Sequence, residues 1–284
     1  MAIGMKDIKR RIKSVESTKQ ITKAMELVAS SKLRKAKKTV ENARPYFKIL
    51  YETIIKIAAD TRGIKSDYVI PRGSEKRGYI VIAGDRGLAA GYNSNVLKEA
   101  LNHMGGIKHP VVAVGRKSSD YFSKRDYPVH AKYESRAENI DIPQINKITE
   151  AALKLYNDKE IDELYIVYTE FVSALLQEPH VIKLLPLKFD ENELKAKKSS
   201  LITYEPSAEE LFDYLVPKYI DGLIFGAIVE SFASEQGARR TAMESATDNA
   251  NEMIDSLQLK YNRARQASIT QEISEIVAGA EALV

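Results

Sequence analysis

The sequence predicts an α/β fold with two long helical arms that pair with each other. Three observations predict it. Residues 1–60 carry a heptad pattern of apolar side chains, and residues 206–284 carry apolar side chains at helical spacing. The middle of the chain alternates short apolar runs with helix-like stretches, which is typical of a largely parallel sheet. The predicted division is an N-terminal helix over 1–60, an α/β domain over 76–190 and a C-terminal helix over 206–284.

The composition excludes several classes of chemistry. Of the 284 residues 44% are hydrophobic and 29% are charged, which indicates a globular chain. The absence of cysteine excludes disulfides, thiolate zinc sites, iron–sulfur clusters and a cysteine nucleophile. The 4 histidines include no pair at helical ligand spacing, so we expect no metal and no cofactor. No apolar signal core or membrane span is evident, and we expect a soluble intracellular chain.

The charges of the two arms are opposite. Residues 1–60 hold 15 Lys and Arg against 6 Asp and Glu, whereas residues 206–284 hold 6 against 13. Opposite charges predict that the two helices pair. The alternative is that each charged face is only solvated.

The heptad pattern of the N-terminal arm is interrupted once. Two positions of each heptad would face a partner helix, and together they form the seam of the coiled coil. Both positions are apolar from Ala29 onward, but polar residues occupy them at Lys19, Thr22 and Glu26. A helix that continues through this gap would lose its dry seam there and could face a different partner. We also expect Pro45 to bend the helix or remove one of its hydrogen bonds.

The C-terminal arm is expected to be an unusually long helix. Pro206 and Ser207 with an acidic first turn resemble a helix start, and Pro217 is expected to restart the helix. Residues 218–278 contain no proline, so about 60 residues at about 1.5 Å each predict a rod of roughly 90 Å. A rod of that length must project from its domain or be enclosed by other chains.

The middle of the chain predicts a Rossmann-like domain. The strand predictions are residues 79–83, 111–114, 127–132, 164–169 and 181–187, the last as a hairpin partner of the one before it. The helix predictions are residues 93–104, 116–125 and 143–157. Residues 62–77 and 189–200 have the composition of linkers.

A glycine-rich turn at residues 84–93 follows the first strand and precedes a helix. Such a turn can hold a phosphate on its backbone amides. The spacing matches neither common nucleotide-binding pattern and offers no lysine, so a tight structural turn is favoured. The carboxylate pairs Glu209–Glu210 and Asp162–Glu163 are expected to be solvated rather than catalytic.

The basic run at residues 32–38 could contact phosphates. Its apolar members fall on the heptad seam, so the acidic C-terminal helix is the favoured partner over nucleic acid. Two further alternatives stay open: a nucleotide- or sugar-phosphate-binding enzyme, and a coiled-coil nucleic-acid-binding protein that uses residues 6–38.

Four motifs carry a resemblance over the whole chain. They are the I-T-x-E-x-x-E-x-x-x-G-A pattern at 269–280 and the segments 21–33, 85–93 and 234–249. On these residues the chain resembles the gamma subunit of an F-type ATP synthase, in a bacterial version without the cysteine pair of chloroplast relatives. Ala90 stands where glycine is common in the family.

The resemblance implies a non-catalytic rotor shaft in a proton-translocating ATP synthase. The terminal helices would form an antiparallel coiled coil inside a hexamer of three alpha and three beta subunits. The α/β domain would contact the epsilon subunit and the c-ring. The chain would bind neither nucleotide nor nucleic acid, and would be peripheral at the cytoplasmic face of the bacterial inner (plasma) membrane through the c-ring.

The resemblance also implies seven partner-binding residues. Arg265 and Gln266 would reach a beta-subunit loop, Met25 would face the moving lever of the beta subunit, and Tyr204 with Glu205 would touch the c-ring. Thr270 and Glu272 belong to the C-terminal motif. For Met25 the alternative is core packing, and for Tyr204 a surface turn.

Overall fold

Five helices and five strands form the described part of the chain. The computed structural model describes residues 5–61, 64–73, 76–134, 142–173, 176–190, 194 and 204–281. In chain order the elements are α1 (Met5–Asp60), β1 (Arg77–Ile82), α2 (Tyr92–Met104), β2 (Val111–Val114), α3 (Arg116–Ser123), β3 (Val129–Tyr133), α4 (Ile142–Asn157), β4 (Glu163–Phe171), β5 (Gln177–Leu185) and α5 (Ala208–Glu281).

The chain divides into two compact units. The first unit comprises residues 1–29 and 240–284, and the second comprises residues 30–239. Both α1 and α5 continue from one unit into the other. The predicted division into 1–60, 76–190 and 206–284 follows the elements of secondary structure instead and stays a prediction.

The sheet of the second unit has the strand order β3-β2-β1-β4-β5. The central strand β1 pairs in parallel with β2, where Ile80 lies opposite Val112, and with β4, where Ile80 lies opposite Ile166. β5 returns antiparallel to β4 at the edge. All five predicted strands are present, four of them with shifted ends, and the largely parallel sheet and the terminal hairpin are confirmed.

Alternate side chains of the sheet pack against different helices. Ile80 and Ile82 lie in a core with α4 and with parts of α1 and α5. Tyr79 and Val81 point the other way, into a core with α2 and Phe122 of α3. Successive side chains of a strand point to opposite faces of the sheet, and here both faces are covered by helices. The second unit therefore has three layers, with the sheet between two layers of helices.

Within the second unit α1 and α5 run antiparallel in direct contact. The ring centroids of Phe47 and Phe225 are 5.7 Å apart, and those of Tyr51 and Tyr219 are 5.5 Å apart and stacked. A later residue of α1 therefore meets an earlier residue of α5. A Cβ on Gly222 would overlap the ring of Phe47, so glycine makes room for that ring between the two helices.

The predicted restart of the C-terminal helix at Pro217 is wrong. The helix starts at Ala208, after Ser207, whose Oγ accepts a hydrogen bond from the Glu210 amide at 3.2 Å. It then runs through Pro217 without a break. Val216 and Ile220 are fully buried on either side of the proline, and this packing compensates for the lost backbone hydrogen bond.

The expected loss of the seam near Thr22 is also wrong. In the first unit Thr22 and Thr247 are both buried, and their hydroxyl oxygens are 2.7 Å apart. A hydrogen-bonded polar pair therefore continues the helix contact where the sequence lacks apolar residues. Each hydroxyl oxygen also lies within hydrogen-bonding distance of a carbonyl of its own helix, so the hydroxyl that does not donate across the pair donates to that carbonyl.

Two further expectations are corrected around β4. The segment 64–73, taken as a linker, packs on the core: the buried Ser66 hydroxyl donates to Asp213 at 2.6 Å. Asp162, expected to be solvated, is buried. Its neighbour Glu163 forms ion pairs with Arg77 and Lys183.

The backbone of Gly115 generates a first prediction. It has φ +93°, and a Cβ there would overlap the carbonyl oxygen of Ala83. We expect Gly115→Ala to lower the free energy of unfolding by about 3 kcal/mol or more, since steric overlap adds to backbone strain. Gly105 also has a left-handed φ (+61°) but open space around it, so Gly105→Ala is the control, with a loss of about 1 kcal/mol. Equal losses in urea unfolding followed by tyrosine fluorescence would contradict the steric argument.

The Thr22–Thr247 pair generates a second prediction. We expect either single change to valine to lower the free energy of unfolding by about 1 kcal/mol, because the partner hydroxyl loses a buried bond. The double variant should lose clearly less than the sum, since both polar groups are then gone. Thermal unfolding followed by circular dichroism measures the stability of the wild type, the two single variants and the double variant. Thr18→Val is the matched control, because the exposed Thr18 hydroxyl donates to a carbonyl of its own helix and not to the other helix.

Candidate partner-binding surface

The C-terminal part of α5 gradually loses its cover. From residue 255 to residue 278 no side chain is buried. Leu257, Tyr261, Ala264 and Ser268 are half-buried and fall on one stripe at helical spacing, as expected for contact with a single neighbouring helix. From Ile269 to residue 278 every side chain is exposed.

The uncovered stretch is apolar enough to need a partner. Ile269, Ile273, Ile276 and Val277 expose 48%, 56%, 72% and 52% of their surface. So short a helix segment is marginal on its own in water. A contiguous exposed apolar patch of this kind indicates a protein–protein contact. The first unit therefore presents a helix end suited to enclosure by other chains.

Four of the predicted partner-binding residues lie on or beside this segment and all are exposed: Arg265, Gln266, Thr270 and Glu272. The Thr270 hydroxyl donates to the Gln266 carbonyl at 2.9 Å, and the Ser268 hydroxyl lies 3.4 Å from Glu272 Oε1. These bonds are local, so the side chains of this region are available to an outside partner.

The other three predicted residues are separate from it. Met25 is half-buried in the first unit, which fits either of its two interpretations. In the second unit the Tyr204 hydroxyl donates to Asp60 at 2.7 Å. Burial, and then the bond to the Asp60 carboxylate, raise the pKa of Tyr204 to about 12. Tyr204 thus ties the segment that precedes α5 to the end of α1, whereas the neighbouring Glu205 is exposed.

The glycine-rich turn of the second unit is filled by the chain's own groups. The Gly84 amide donates to Asn93 Oδ1 at 2.8 Å, and Asn93 Nδ2 donates to the Arg86 carbonyl at 3.1 Å. Ala90 has φ 45° in the left-handed region. The favoured interpretation as a structural turn agrees with this geometry.

An ion pair of α5 lies against the same turn. Arg239 donates to Glu235 at 2.6 Å and to the Gly87 carbonyl at 3.0 Å, and only 11% and 8% of the two side chains are exposed. Burial raises the pKa of Glu235, although the charge and hydrogen bond of Arg239 oppose the rise. Sequence reasoning assigned these two residues no role. The signal was an acid and a base one helical turn apart, with the small residues Gly237 and Ala238 between them.

The basic run contacts the rest of the second unit. Lys37 Nζ lies 4.5 Å above the ring of Phe171, and the charge of Lys32 helps to oppose the rise in the pKa of Glu235. Among the described residues no cluster of acidic and histidine side chains could hold a metal ion. None of the described helices is long and apolar enough to cross a membrane.

Comparisons with known proteins agree over the full chain. A family model described as ATP synthase matches residues 4–283. The ATP synthase gamma chain of Alkaliphilus metalliredigens is 54% identical, with 100% of both chains covered. The sodium ion specific ATP synthase gamma chain of Acetobacterium woodii is 46% identical, again with 100% of both covered.

A solved structure shares the fold. A chain of the Euglena gracilis mitochondrial ATP synthase, in a complex described as OSCP, F1 and c-ring, superposes with a TM-score of 0.71 at 21% identity. The match covers 98% of this chain and 94% of that one. The chain therefore belongs to the gamma chain family of the F-type ATP synthase, the non-catalytic rotor-shaft subunit of that complex.

Proposed function

We propose that the chain works as a rotor shaft by inserting the end of α5 into a ring of three alpha and three beta subunits. The exposure of every side chain from 269 to 278, including three isoleucines and a valine, is the observation that carries this proposal. An apolar sleeve would give these side chains the cover that they lack. Only two carboxylates, Glu272 and Glu275, interrupt this stretch, so few strong contacts would resist rotation.

Transmission of torque also needs specific contacts. Arg265 and Gln266 stand exposed just before the apolar segment. A guanidinium presents a rigid fork of donors that can grip a carboxylate of a beta-subunit loop, and the amide beside it can add a further bond. Thr270 lies about one turn and Glu272 about two turns further along α5. Met25 of α1 is proposed as a second contact with the beta subunit.

The second unit is proposed to join the shaft to the membrane sector. In this proposal the α/β domain contacts the epsilon subunit and the c-ring, with Glu205 as an exposed contact and Tyr204 holding its backbone in place through Asp60. The complex would then lie at the cytoplasmic face of the bacterial inner (plasma) membrane, with this chain peripheral to it.

Protons are the proposed coupling ion. The Acetobacterium woodii relative is named sodium ion specific, which makes sodium the alternative. ATP synthesis by the complete complex in vesicles that carry either a proton or a sodium gradient distinguishes the two ions.

The apolar segment yields a third prediction, on assembly. We expect Ile273→Glu with Ile276→Glu to lower the yield of a complex with three alpha, three beta and one copy of this chain at least tenfold. Buried charge without a partner would oppose insertion. Native mass spectrometry after co-expression measures the yield. The isolated variant should unfold at the wild-type temperature because both residues are exposed.

The control for assembly is Gln271→Glu, which adds a charge to the same segment at a side chain that already bonds Glu275. The two variants are directly comparable because both keep the length of the chain. A full yield of complex from the double glutamate variant would contradict insertion of this segment.

The exposed pair Arg265 and Gln266 yields a fourth prediction. We expect the double alanine variant to assemble normally but to lose at least half of the torque measured in single-molecule rotation, because both directional donors are gone. Arg263→Ala removes another exposed arginine from the same helix and should have a smaller effect. Unchanged torque in the double variant would show that these two residues do not contribute to the coupling contact.

A further inference from the structure

The second unit has the topology of a doubly wound α/β domain, and that topology defines one crevice. From β1 the chain moves through α2 and α3 to β2 and β3 on one side, and returns through α4 to β4 on the other side of β1. The strand order therefore reverses between β1 and β4. In such sheets ligands bind outside the carboxyl ends of the strands at this reversal, against the first glycine-rich turn.

In this chain α5 occupies that crevice. At the end of β4 the Thr169 amide donates to Ser231 Oγ at 3.1 Å, and the Ser234 hydroxyl donates to the Thr169 carbonyl at 3.1 Å. At the end of β1 a Cβ on Gly84 would lie 2.9 Å from the Glu235 carboxyl group. Both strand ends thus meet adjacent turns of one helix.

Backbone amides that could bind a phosphate at this site already form hydrogen bonds within the chain. Asn93 accepts from the Gly84 amide. The first amides of α3 are also used, because Arg116 N donates to Asp85 at 2.8 Å and Lys117 N donates to the Gly84 carbonyl at 3.0 Å. Three amide donors at this site, those of Gly84, Arg116 and Lys117, are therefore directed to the chain itself.

We propose that the ligand crevice of this α/β domain has become a socket for the shaft helix, and that Glu235 and Arg239 are the positioning residues that fix α5 in it. This inference rests on the proposed function. Torque that enters through the α/β domain would pass to α5 at this joint. Arg239 is the last residue of the second unit, so both residues of the joint belong to that unit.

The chemistry of the joint suits a rigid connection. The guanidinium spans from its own helix to the turn, since it donates to both Glu235 and the Gly87 carbonyl. Ala238 packs with Ala89 and Tyr92 in a buried cluster beside it. A buried ion pair is costly to break on one side only, because the remaining charge stays uncompensated. The socket therefore resists partial opening.

The test combines hydrogen exchange on the isolated full-length chain with coupling in the complete complex. We expect Glu235→Gln to accelerate exchange at the Gly84 and Tyr92 amides at least tenfold. In reconstituted complexes, protons pumped per ATP hydrolysed should fall at least twofold. Asp120→Asn breaks an exposed ion pair of the same i, i+4 spacing in the same unit and should change neither quantity.

An engineered disulfide distinguishes two explanations of lost coupling, namely a loosened joint within this chain and a lost contact with surrounding subunits. The chain has no cysteine, so Ala89→Cys with Ala238→Cys introduces the only two thiols, at side chains of one buried cluster. Oxidation of these thiols in the Glu235→Gln background should restore coupling to at least 80% of the wild-type value, and reduction should remove it again. Formation of the bond is checked by mass spectrometry.

Two results would overturn the proposal: wild-type exchange and coupling in Glu235→Gln, or a formed disulfide that restores neither quantity. Failure of the proposed function looks different, because the wild-type chain would then be missing from the complex with alpha and beta subunits in native mass spectra. Should the disulfide not form, exchange in Glu235→Gln against Asp120→Asn decides the proposal.

Discussion

The structure depends on one constraint: a helix of 74 residues cannot cover its own apolar side chains and must find different neighbours along its length. In the second unit α5 is covered by the sheet and by α1, which meets it closely enough to require Gly222. In the first unit a single stripe of contacts remains. Beyond Ser268 the described chain supplies no cover, and the apolar side chains of that end stand exposed. The exposure of apolar side chains at that end is thus a property of this helix.

The same helix occupies the crevice at which doubly wound α/β domains bind ligands. Fold and function separate because ligands bind at a particular crevice, not to the sheet as a whole. Here Ser231, Ser234 and Glu235 take the positions at the carboxyl ends of β1 and β4 that a ligand would use. A loop that binds phosphate in other proteins can hold a helix when its donors are satisfied internally and when glycine allows close approach.

Local sequence patterns predicted most of the fold because strands buried on both faces are dense in β-branched residues and end at glycine. The prediction failed where distant residues supply the energy. Pro217 is tolerated because Val216 and Ile220 are buried against other elements. Thr22 continues the seam only because Thr247 faces it, and Asp162 is buried by packing that its polar neighbours do not reveal. Of the candidate residues, the exposed motif around Arg265 could be identified from the sequence, whereas the ion pair Glu235–Arg239 could not.

The sequence alone determined the two helical arms, the central parallel sheet, the absence of cysteine chemistry and the family, because periodicity, composition and motifs are local properties of the chain. Only the tertiary structure decided which helix fills the crevice of the sheet, which polar groups are buried in pairs and where α5 runs out of cover. Those features depend on residues far apart in sequence, such as Gly87 with Arg239 and Thr22 with Thr247, whose contacts exist only once the chain has folded.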